Sequence, residues 1–164
     1  MAARSDVKAV TITADTVALD ADGISVAAAV GNNAALTIGG ALASGGAVAL
    51  SHGRIVTILS AGNDAAKSFT VTGTDINGTA QTESITGANA GTATGTKFFK
   101  TISGISAVGN PAGDVSAGVN ASAADVIFPG RSRLKGIYLT STATAGTVDF
   151  LNTSPSGTSI MGLS

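Results

Sequence analysis

Side chains able to do acid–base, nucleophilic or metal chemistry are few and scattered in this 164-residue chain. His52 is the single histidine, set in Ser51-His52-Gly53 just ahead of strand-forming residues. A Ser-His-Asp site needs the imidazole beside a nucleophile and a carboxylate. No G-x-S-x-G elbow supplies the nucleophile; the nearest form, Gly104-Ile105-Ser106-Ala107-Val108-Gly109, has one residue too many. His52 reads as a polar turn residue. Asp20 and Asp22 precede Gly23 in a faint likeness of a calcium loop, but no glutamate stands at the bidentate twelfth position. An Asp-Gly turn is the expectation there. Glu83 is the only glutamate, so paired-glutamate glycoside hydrolysis is not available.

Nucleotide motifs fail as well. No two glycines stand at G-x-G spacing, and no Gly-Lys-Ser/Thr follows Gly40 and Gly45, which lie five apart. The N-x-S/T sequons at Asn77, Asn120 and Asn152 read as fortuitous in a chain whose start, MAARSDVKAV, lacks the apolar core of a secretory signal. The one concentration of charge is Arg131, Arg133 and Lys135, which alternate to a single face if the segment is a strand. Its plain reading is a solvated, edge-protecting face; its functional reading is an anchor for carboxylates on a partner. Catalytic, cofactor and metal sites are therefore not expected, and Arg131, Arg133 and Lys135 are the candidate partner contacts.

The elements that must carry these residues are strands. Charged residues make up 12% of the chain and hydrophobic ones 44%, a balance opposite to that of disordered segments, so a packed fold is expected. Aromatics supply only 4%, leaving Ala, Val, Ile and Leu to build the core. Such a core gains less from burial, which association with identical copies or a larger scaffold would offset. The net charge of −1 argues against phosphate neutralisation on a nucleic acid. No run reaches the roughly 18 apolar residues of a membrane span. With no cysteine, stability rests on packing and backbone pairing.

Period-2 patterns bounded by Gly, Asn and Asp predict the strands. They fall at Val7–Ala14, Arg54–Leu59, Lys67–Thr72, Gln81–Thr86, Lys97–Ser103, Ile105–Val108, Val115–Val119, Asp125–Phe128, Gly136–Thr140 and Thr147–Leu151. Phe69 and Val71 should point inward, with Ser68, Thr70 and Thr72 outward. Gln81, Glu83 and Ile85 share one face. Asp75-Ile76-Asn77-Gly78 predicts a type I′ hairpin, because Asn-Gly takes two positive φ values readily. Ala27–Val30 fits a short helix or a buried strand equally. Gly87–Gly95 reads as a small-residue loop. Close strand spacing without a helical pattern predicts an all-β, antiparallel β-sandwich of Ig-like or jelly-roll type. We expect an N-terminal extension over residues 1–46 and the sandwich domain over 47–164.

Two blocks carry a family likeness. SAGNDAAKSFTVTGTDINGTAQTESITGANAGTATGTKFFKTISGIS, followed by RSRLKGIYLTSTATAGTVDF, resembles a group of small tailed-bacteriophage virion proteins, and ALTIGGALASGGAVAL resembles their lead-in. The likeness spans about residues 34 to 151. It implies a non-enzymatic virion component with Ig-like or jelly-roll structure, present in many copies. From it we expect a capsid decoration (cement) protein on the outer head shell, made in the host cytoplasm. Its partners would be the major capsid protein and identical subunits, as a homotrimer. The alternative is a tail, neck or fibre-base protein. A carbohydrate-binding module is disfavoured by the shortage of aromatics. Chains of this group run on past the GTVDF strand, whereas this one stops in an apolar run at Ser159-Ile160-Met161-Gly162-Leu163-Ser164. Strand exchange or close subunit packing is therefore expected at that end.

Overall fold

In a computed structural model of the protein, residues 10–12, 19–127, 136–137, 147–151 and 159–163 are described. They form nine strands: β1 (Asp20–Ala29), β2 (Ala43–Ser44), β3 (Ala47–Ser60), β4 (Ser68–Thr74), β5 (Ala80–Thr86), β6 (Thr92–Val108), β7 (Asp114–Ala124), β8 (Val148–Leu151) and β9 (Ser159–Leu163). The chain divides into two compact units, Met1–Ile127 and Phe128–Ser164.

The first unit holds an antiparallel seven-stranded sheet in the order β1-β7-β3-β6-β4-β5, with β2 hairpinned onto β3. It folds over itself as a β-sandwich because β6, at 17 residues, serves both layers. β6 pairs with β3 from Thr92 to Ile102 and with β4 from Thr101 to Val108, so Thr101 and Ile102 are shared by both neighbours. Register shifts in β3 between Ala49 and Arg54, and in β4 between Thr72 and Gly73, mark the corner. The stretch around Ala35 completes the second layer by pairing with Ser106. Phe69, Phe99, Ile24, Ile58, Ile102 and Ile105 fill the space between the layers and are fully buried. Strand alternation accounts for this core: Phe69 and Val71 go in while Thr72 stays out, as the pattern requires.

The second unit pairs β8 with β9 in an antiparallel ribbon, Val148 opposite Leu163 and Phe150 opposite Met161. The apolar run at the chain's end thus has a strand partner, β8, within the same chain.

Several local expectations are revised. Gly104 does not interrupt the chain's path, so the two strands expected at Lys97–Ser103 and Ile105–Val108 are one, and β6 begins inside the segment read as a loop. Asp22-Gly23 lies within β1 and is no turn. Between Asp20 and Ser25 the strand spends five steps while β7 spends two, so the extra residues are absorbed as a bulge. Ala27–Ala29 is strand, but exposed. Asp125–Ile127 leaves the sheet. Asn77-Gly78 does not make a type I′ turn: Gly78 has φ 81° while Asn77 keeps a negative φ. Asp75 explains the change. Its Oδ1 accepts from the N–H of Asn77 and of Thr79, both at 2.8 Å, and its carbonyl accepts from Gly78 N–H at 3.1 Å. That is a three-residue loop closed by a left-handed glycine. The hairpin loop with two positive φ values is Gly45-Gly46, at 61° and 79°.

Candidate functional site

Arg131, Arg133 and Lys135 lie outside the described residues. Three other places in the first unit bring functional side chains together.

The first is His52. It projects from β3, and its Nδ1–H donates to Asp125 Oδ2 at 2.9 Å, across 73 residues of sequence. The two side chains are 12% and 31% exposed. Burial pushes the Asp125 carboxyl up, but the His52 hydrogen bond, the Val126 N–H and the nearby charges of Lys100 and His52 outweigh it. The group is held below the ordinary aspartate value. Lys100 Nζ donates to the Ser51 carbonyl. Ser51 precedes His52 on an extended strand, so the two side chains leave on opposite faces. The arrangement pins the exit of β7 to β3. Arg54, buried two residues further along β3, adds to it by donating from Nη1 to the Ala121 carbonyl at 3.0 Å. Among the described residues no three His, Asp or Glu side chains gather as a metal site.

The second place is the seam between β5 and the first half of β6, whose facing edges share no backbone ladder. Side chains lace them instead. Glu83 is 9% exposed, and its Oε1 accepts from Thr96 N–H at 2.6 Å, Thr96 Oγ1–H at 2.9 Å and Lys97 N–H at 3.3 Å. Gln81 Nε2 donates to the Phe98 carbonyl at 2.9 Å, and Lys97 Nζ to the Thr82 carbonyl at 2.8 Å. Gly95 is required here, since a Cβ would stand 2.6 Å from Glu83 Oε2. The sequence placed Gln81 and Glu83 on one face, but not the strand edge they would meet.

The third place is the outer face of β5, β4 and the last part of β6. Thr70 stands between Ser84 and Ser106, Ser68 between Thr86 and Val108, and Thr72 beside Thr82. Thr74 Oγ1 and Thr101 Oγ1 are 2.7 Å apart, and Ser103 Oγ–H donates to the Thr72 carbonyl at 3.2 Å. Every outward position on these three strands is Ser, Thr, Ala, Gly or Val. Thr72, Thr82, Ser84, Thr86 and Ser103 are exposed. Short hydroxyl side chains lose little rotamer freedom on being covered, and a face without formal charge costs less to dehydrate than a charged one, provided its hydroxyls find hydrogen-bond partners. Such a surface suits contact with another flat, neutral protein surface.

These features define an antiparallel β-sandwich with one laced edge and one broad uncharged face. No protein family matches the sequence, and neither a curated protein nor a solved structure matches it.

Proposed function

We propose that the protein is a non-enzymatic structural subunit of a bacteriophage virion, which decorates the outer head shell and stabilises it through many weak contacts. The observation that carries this reading is the uncharged Ser/Thr face of β4, β5 and β6. At strand spacings of about 4.8 Å and a rise of about 3.3 Å per residue, three strands of this length cover roughly 300 Å². A stable pairwise complex needs about 800 Å² per partner. One such face holds weakly by itself, and simultaneous engagement of many copies on a repeating lattice supplies the rest. The resemblance of residues 34–151 to phage virion proteins supports the same assignment.

Retention on purified expanded heads tests it. Thr72→Lys puts a charge at the centre of the face and is expected to reduce occupancy at least tenfold while the chain stays folded. Occupancy by the unaltered chain is expected to be insensitive to salt. Steep salt dependence would instead give the attachment to Arg131, Arg133 and Lys135. Unchanged occupancy with Thr72→Lys would remove the face from the mechanism. A copy number of tens per particle, not hundreds, would move the protein to the tail or neck.

A further inference from the structure

We propose that copies of this chain join by strand exchange, with Val10–Ile12 of one copy adding to the outer edge of β1, at Val26–Ala29, in the next. The inference does not depend on the virion reading.

β1 is the terminal strand of the main sheet, so one of its edges has no sheet neighbour. That edge is finished along only part of its length. The Gly23 carbonyl accepts from Leu42 N–H at 2.8 Å, and the Ile24 carbonyl accepts from the N–H of Gly39 and Gly40 at 3.1 and 3.0 Å. Beyond Ser25, no backbone group among the described residues is bonded to the outer edge. Natural edges are guarded with charges, prolines or inward-turned side chains. Val26-Ala27-Ala28-Ala29 has no charge and no proline and is exposed throughout, its one guard being the bulge between Ser25 and Ala28. One extra residue between Ser25 and Ala28 turns Val26 away from the core that Ile24 occupies, leaving it 51% exposed.

The donor is in the same chain. Val10, Thr11 and Ile12 carry the alternation of a half-buried strand, yet Val10 and Ile12 are 45% and 44% exposed and belong to no strand. An apolar strand pattern without a sheet and an apolar sheet edge without a strand complement each other. The acceptor is placed on another copy's edge. In the same chain, the outer edge between Asp20 and Val26 is already bonded to Gly39–Leu42. Gly40 sits there so closely that a Cβ on it would lie 2.2 Å from the Asp22 carbonyl. Donor and acceptor are different patches, so two copies can exchange reciprocally or the contact can run head to tail through further copies.

The chain contains no cysteine, so a disulfide introduced by design is unambiguous. In the Ile12→Cys/Ala27→Cys variant, oxidation is expected to give disulfide-linked species of two or more chains on non-reducing gels and by native mass spectrometry. A disulfide confined to single chains, or no disulfide in a folded protein, would overturn the proposal. Val10→Asp/Ile12→Asp is expected to convert the native oligomer to monomer while circular dichroism and melting temperature stay as they were. Persistence of the oligomer in that variant, or an unaltered chain that is monomeric up to its solubility limit, would also overturn it.

Discussion

β5 and β1 close the two ends of the same sheet, and they are finished in opposite ways. β5 pairs with β4 in unbroken register from Ser68–Thr86 to Thr74–Ala80. Its far side is laced to β6 by Glu83, Gln81 and Lys97. Regular and unguarded, it would be the better template for a foreign strand, and it carries the polar clasp. β1 is bulged and short of partners beyond Ser25, and it carries only Val and Ala there. The difference separates two tasks that an edge can have. One edge holds the fold shut, and the other is the one we propose to receive another chain.

The largest expected effect tests the laced edge. Glu83→Ala takes the carboxylate away from the N–H groups of Thr96 and Lys97 and loses charge-assisted bonds, so unfolding free energy should fall by about 2 kcal/mol in denaturant titrations. A loss below about 1 kcal/mol would show that water replaces the carboxylate without cost and that the seam is no clasp.

A smaller effect comes from Asp125, which lies away from both edges and serves as a reference. Its carboxyl is held below the ordinary value in the folded chain. Its contribution is therefore complete above the unfolded aspartate value and is lost as pH falls through the folded one. The melting-temperature difference between the unaltered chain and Asp125→Asn should be present at about pH 6 and shrink as pH falls below the unfolded aspartate value of about 3.9. A difference that grows on acidification would contradict the His52–Asp125 pairing. The smallest effect belongs to the open edge. Val26→Thr should change the stability of the isolated chain by no more than about 0.5 kcal/mol, because the side chain is already in water. A larger loss would mean that β1 is integral to the core along its whole length.

How much of this could be read from residues alone follows from the range of each interaction. The strands around Phe69, Glu83 and Val115 were evident, because alternation is local and each face is either buried or wet. The loop at Asn77-Gly78 was assigned the wrong turn. The reading rested on the dipeptide, whereas Asp75, two residues earlier, takes two backbone N–H groups with its carboxylate. The continuity of β6 was hidden by small residues around Gly91 and Gly104, which tolerate a strand when its neighbours on both sides supply the pairing. The clasp and the His52–Asp125 pair join positions 13 and 73 residues apart, and nothing in local pattern reports such meetings. Arg131, Arg133 and Lys135 stood out because charge is rare in this chain. The uncharged face was legible only strand by strand, as in the outward Ser68, Thr70 and Thr72, because it takes three strands in register to assemble it.

Amide hydrogen exchange tests the contrast between the two edges most directly, on the full chain below and above its association concentration. The account predicts slow exchange at Thr96 and Lys97 under both conditions. It also predicts that Val26–Ala29 exchanges rapidly in the dilute chain and becomes protected on association. Rapid exchange at Thr96 and Lys97, or amides in Val26–Ala29 that stay unprotected when the chain associates, would contradict it.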